Sequence, residues 1–155
     1  MHKFLFLDFD GVLFNTVDEA YNVCINTQSF KNYQFNDEHL LKFRALRPII
    51  GPAWNYYYVM NYLIGILANI EHSTMIKTDD ALSFQMDFFE TRKHLKKNNY
   101  KKWLQLNSPY DFLFRLECIL ANKKDLKVLI VTTKDKSTVK DLLNEFNIKY
   151  IEERH

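Results

Sequence analysis

Cysteine, glycine and proline are all scarce in this 155-residue chain, with two, three and three copies. The two cysteines, Cys24 and Cys118, show neither metal-ligand spacing nor a disulfide framework. A reduced, cytoplasmic setting is therefore expected. An excess of one charge is lacking too. Lys and Arg total 21 against 19 Asp and Glu, for a formal net charge of +2. No whole-molecule signature for nucleic acid follows from that balance. The chain opens directly on a strand pattern, with no charged, apolar, small-residue leader pattern. Repeats and low-complexity stretches are absent. The longest apolar stretch, Pro52 to Ile70, approaches the length of a membrane span. It carries Asn55, Asn61 and Asn69, together with four tyrosines and Gly65. Amides in a lone span are costly. A soluble helix is expected there, and no membrane partner.

What the chain does have begins at Phe4. Phe4-Leu5-Phe6-Leu7 reads as a buried strand, and it stops at Asp8-Phe9-Asp10-Gly11. Carboxylates at the end of a buried strand need a compensating partner. Side chains alternate along an extended chain, so Asp8 and Asp10 point to the same side. Such a pair can share one divalent cation and leave a carboxylate oxygen free as a nucleophile. The same residues also suit a plain strand-ending turn.

Hydrophobic residues make up 47% of the chain, a globular proportion. Thr16 and Glu19 form a capping-box pattern opening a helix over residues 17–27. Asn36 caps a short helix over 37–44. Pro48 and Pro52 exclude regular helix over 47–52. A helix is expected over 53–70. Another is expected from Thr78 or Asp79 to Lys97, with Ala81, Leu82, Met86, Phe89 and Leu95 on its apolar face. Ser108, Pro109 and Asp111 read as a helix start: cap, first-turn proline, acid near the positive end. Val128-Leu129-Ile130-Val131 forms a second buried strand. Residues 137–146 form a helix with Val139, Leu142, Leu143 and Phe146 on one side, and a third strand begins at Lys149. A strand–helix beginning is thus parted from a strand–helix–strand ending by a helical insertion. The aromatics, 13 Phe and 9 Tyr, mostly fall in or beside that insertion, where they fill a small core or line a substrate pocket.

Residues 8–16, Asp-Phe-Asp-Gly-Val-Leu-Phe-Asn-Thr, resemble the first motif of the haloacid dehalogenase (HAD) superfamily. Val128 to Lys134, ending Thr132-Thr133-Lys134, is similar to the second motif of its phosphoglycolate phosphatase type. The resemblance implies an α/β fold: a Rossmann-like, three-layer core around a parallel sheet, with an inserted all-helical cap. The core takes residues 1–16 and 105–155, and the cap residues 17–104. Asp10 implies phosphoryl transfer rather than dehalogenation. By the same resemblance Asp8 attacks phosphorus, and Asp10 protonates the leaving oxygen and then activates water. Thr132 donates its hydroxyl to the phosphoryl group, and both aspartates serve the Mg2+ site, Asp10 through its backbone carbonyl. Gly11, Thr133 and Lys134 line the phosphate, although a solvated loop lysine fits Lys134 equally well. Arg47, in the stretch similar to a cap loop, is a candidate for a second anionic group on the substrate, or else a surface arginine. Arg92, Lys93, Lys96, Lys97, Lys101 and Lys102 form a basic run, ordinarily a solvated helix face. The implied activity is magnesium-dependent hydrolysis of a small phosphorylated metabolite through an aspartyl-phosphate.

The chain departs from the pattern at its end. The later lysine and the acids that complete the magnesium site have no counterpart. Glu152 and Glu153 fall too early. The C-terminal strands of the family sheet are missing, which leaves the first strand at an edge. Either self-association through that edge or cover by the chain's own helices is expected. A non-catalytic fragment acting in binding or assembly is the rival reading. A phosphomutase, which needs the same nucleophile, is the weaker one.

Overall fold

The computed structural model describes residues 3–123 and 125–148. The third strand expected from Lys149 lies outside them. The chain parts into two compact units, one of residues 1–16 and 107–155, the other of residues 17–106. The described residues of the chain as a whole form a mixed α/β set of elements.

The first unit is organised by strand β1 (Lys3–Leu7) and strand β4 (Leu126–Ile130), which pair in parallel with Leu5 opposite Val128 and Leu7 opposite Ile130. Two residues each of β2 (Phe14–Asn15) and β3 (Ser108–Pro109) form a short antiparallel pair. Helices α6 (Asp111–Ala121) and α7 (Lys136–Glu145) complete the unit. Its core holds Phe9 stacked on Phe14 at 4.8 Å, Phe146 edge-on to Phe14, and the buried Leu13, Leu113, Leu116 and Leu142.

Two expectations about this unit are corrected. Ser108 and Pro109 do not open a helix. Pro109 pairs with Phe14, and the helix starts at Asp111 behind Tyr110, whose N–H is donated to the Leu13 carbonyl. A proline has no N–H to give a ladder, so it suits the end of a two-residue edge strand as well as a helix start. Nor is β1 buried on both faces. Phe4 and Phe6 are 48% and 62% exposed. Lys3 donates to Asp125, and Leu7 accepts from Val131. In a parallel ladder the alternate residues Phe4 and Phe6 therefore turn their N–H and C=O groups to the other edge. No strand pairs there among the described residues. The chain's own helices leave these two rings open.

The second unit is helical: α1 (Val17–Asn26), α2 (Asp37–Leu46), α3 (Asn55–Leu63), α4 (Asp79–Asn98) and α5 (Tyr100–Gln105). Asn36 and Thr78 cap α2 and α4 through their side chains, as their positions suggest. Aromatic rings fill its centre. Phe43 stacks on Tyr56 at 5.5 Å and Tyr56 on Phe88 at 5.2 Å, inside a cluster with Val23, Val59, Met60 and Phe84.

Three expectations change here. The helix foreseen to Ile70 ends at Leu63, because Gly65 takes φ +78°. The Gly65 N–H bonds the Tyr62 carbonyl and the Ile66 N–H bonds the Asn61 carbonyl, which is the Schellman pattern. The apolar face of α4 runs through Ala81, Phe84, Phe88 and Arg92, while Met86 is 72% exposed. Lastly, Arg92 is drawn out of the basic run by Glu19. Glu19 is buried, and both its oxygens take the Arg92 guanidinium, at 2.8 and 2.9 Å, with Trp103 Nε1 donating to Oε1 at 3.1 Å. Arg92 also lies 4.6 Å over the Phe88 ring. Arg92 is therefore an internal strut rather than part of a solvated basic face. Its charge is compensated where it is buried.

Candidate functional site

Asp8 immediately follows β1, and Thr132 stands two residues beyond β4. Because the strands are parallel and in register, both residues emerge at the same, carboxyl end of the sheet. That end of an open α/β sheet is where ligands ordinarily bind.

Asp8 is exposed, and its Oδ1 accepts the Phe9 N–H at 2.6 Å. The bond orients the carboxylate and leaves Oδ2 open. The chain then folds back tightly. Leu13 and Phe14 both donate N–H groups to the Phe9 carbonyl, and Gly11 donates its N–H to Phe14. Gly11 takes φ +82°, while a Cβ added there would meet nothing within 4 Å. Glycine is thus needed for its left-handed backbone and not for space. Its amide is engaged in the turn.

Asp10, with 19% of its side chain exposed, is held at one oxygen by two donors. The Thr16 hydroxyl donates to Oδ1 at 2.6 Å, and Lys134 Nζ donates to the same atom at 3.1 Å. Thr16 is buried, and the Lys134 side chain is 1% exposed. Oδ2 accepts from none of the described residues. Thr132, half-buried, accepts the Lys134 backbone N–H at 3.2 Å, which leaves the Thr132 hydroxyl proton for an outer acceptor. Thr133 is exposed in the same loop. Just beyond it, Asp135 caps α7 by accepting the Thr138 N–H at 2.9 Å.

Asp8, Asp10, Gly11, Thr132, Thr133 and Lys134 all belong to this end of the first unit. Arg47 belongs to the helical unit, where its Nη1 donates to the Ile50 carbonyl at 2.9 Å. The role of Thr16 at Asp10 was not foreseen, since a threonine three residues before a glutamate reads first as a cap. Nor was the Lys134–Asp10 pair. Among the described residues, no three of His, Cys, Asp or Glu gather as a metal group. Asp8 offers a carboxylate, and Asp10 a backbone carbonyl. Magnesium commonly takes one or two protein oxygens and keeps waters or substrate phosphates for the rest. The donors present fit such a partial shell.

The described residues define an α/β protein with a small parallel sheet. No protein-family model and no curated protein matches the sequence. The structure is similar to the crystal structure of a predicted phosphatase from Clostridium acetobutylicum, with a TM-score of 0.56 and 17% sequence identity. The match covers 96% of this chain and 57% of that one, so the chain spans little more than half the length of that protein. At this identity the likeness is one of fold. No helix among the described residues is long and apolar enough to cross a membrane.

Proposed function

We propose that this chain is a phosphatase of the haloacid dehalogenase type, hydrolysing a small-molecule phosphate monoester through an aspartyl-phosphate. One observation carries the reading. Two carboxylates at the carboxyl end of β1, beside the Thr132 hydroxyl after β4, each keep one oxygen open. Asp8 Oδ2 attacks phosphorus, and the bond from phosphorus to the ester oxygen breaks. Asp10 gives its proton to the departing alkoxide, which leaves as an alcohol. Water then attacks the aspartyl-phosphate while Asp10 takes its proton, freeing inorganic phosphate and restoring Asp8. The Thr132 hydroxyl donates to the phosphoryl oxygens as charge builds on them. Magnesium, held by Asp8 and the Asp10 carbonyl, would supply positive charge toward the phosphate. Weak metal binding is expected from so small a donor set.

The test is metal-stimulated hydrolysis of p-nitrophenyl phosphate. Loss of hydrolysis in Asp8→Asn supports the reading, because an amide is a far poorer nucleophile. Hydrolysis that survives the substitution contradicts it. A second reading, a phosphate-binding module without turnover, is favoured by the lack of a third metal-binding acid among the described residues. Phosphate binding by a chain that hydrolyses nothing would select it.

A further inference from the structure

The geometry points to Lys134 as a positioning residue for Asp10 and Thr132, not as a group that holds the substrate; the inference rests on the phosphatase reading above. A lysine in a loop after a strand ordinarily extends its ammonium into water. Lys134 does the reverse. Its side chain is 1% exposed, and its Nζ reaches Asp10 Oδ1 across 124 residues of sequence. An ammonium so buried is tolerable only when it is paired.

Three features define its work. First, Asp10 Oδ1 is held from two directions, by Thr16 and by Lys134, so the carboxylate plane is fixed. Secondly, that fixing leaves Oδ2 as the oxygen that faces chemistry, in a set direction. Thirdly, the backbone N–H of the same Lys134 occupies the acceptor side of the Thr132 hydroxyl. One residue thus holds both the proton-transfer carboxylate and the phosphoryl-facing hydroxyl, which come from opposite ends of the chain. Misplacing a reacting group by about 1 Å is worth on the order of a hundredfold in rate.

The experiment compares the wild-type chain with Lys134→Met and Lys134→Arg, using p-nitrophenyl phosphate as substrate and inorganic phosphate as inhibitor. Lys134→Met should lower kcat by roughly ten- to a hundredfold. KM and the phosphate inhibition constant should stay within about twofold, since ground-state binding is left alone. Lys134→Arg, which keeps the cation, should recover part of kcat. A rise in KM and in the phosphate constant at unchanged kcat would make Lys134 a substrate contact and overturn the proposal. Unchanged kinetics would overturn it equally.

Thermal unfolding of Lys134→Met, Asp10→Asn and the double variant gives a readout independent of turnover. The double variant should melt no lower than the worse single one. Additive losses would refute the pairing itself. A wild-type chain that hydrolyses nothing, yet gives a non-additive cycle, would sink the phosphatase reading and the catalytic purpose of Lys134 while the pair stands.

Discussion

Removing the Arg92 charge should destabilise the helical unit far more than removing any exposed lysine. The perturbation is Arg92→Met, which keeps the aliphatic stem and deletes the guanidinium. The Glu19 carboxylate is then left fully buried, with the Trp103 indole N–H still donating to it. At the 2.8 Å contact, the attraction between unit charges is about 6 kcal/mol for an effective dielectric near 20. Desolvating the two ions offsets much of that, so the intact pair adds little net stability. Breaking it is different, because the surviving charge keeps its desolvation cost without its partner. The expected loss is about 3–5 kcal/mol. A domain of ordinary stability has only about 5–15 kcal/mol to lose. For a unit of this size the melting temperature should fall by more than about 12 °C. Glu19→Gln should cost a similar amount by stranding the arginine. The double variant Glu19→Gln/Arg92→Met buries no charge and still offers Trp103 an acceptor, so it should be no worse than either single variant. Urea unfolding followed by circular dichroism reads all three. A loss below about 1 kcal/mol for Arg92→Met, the scale of a surface pair, would refute the reasoning. So would a double variant whose loss equals the sum of the singles.

The two thiols should behave oppositely. Cys118 is exposed and should react with a thiol reagent in the native state, whereas buried Cys24 should react only on unfolding. Burial pushes the Cys24 thiol well above its ordinary range, and burial likewise raises Tyr21. The folded state therefore holds these protons more tightly than the unfolded one. Their contribution to stability is complete at neutral pH and is lost as pH climbs past about 8.5. Cys24→Ala should flatten the first part of that fall in a series of pH-dependent unfolding midpoints. At the edge of β1 that no described strand pairs with, the exposed Phe4 and Phe6 should promote self-association, and Phe6→Lys should shift light scattering toward the monomer. A native chain that stays monomeric at every concentration would count against that expectation.

Local signals in the sequence carry a good part of this structure. Apolar runs stopping at polar residues mark β1 and β4, and Asn36 and Thr78 announce their helices within three residues. The end of the first strand, with Asp8, Asp10 and Gly11, is legible for the same reason. What stays hidden depends on partners distant in sequence. Arg92 breaks the hydropathy of α4, so an apolar stripe assigned without it settles on Met86 rather than on Phe84 and Phe88. Its partner Glu19 lies 73 residues away, and nothing near Glu19 reveals that it is buried. Ser108 and Pro109 become a strand only because Phe14 is there to pair with them. Gly65 was visible but was outweighed by the apolar residues around it. At the site, the residues after each strand could be named from the pattern. That Lys134 leans on Asp10 required the fold.

The most direct test of the account is to look for phosphate on Asp8. The chain is incubated with magnesium and p-nitrophenyl phosphate, quenched in acid, digested and mapped by mass spectrometry. The account predicts one phosphoryl group on the peptide carrying Asp8, and none in the Asp8→Asn variant. Phosphate release from the wild-type chain with that peptide unmodified throughout turnover, or release undiminished in Asp8→Asn, would contradict it.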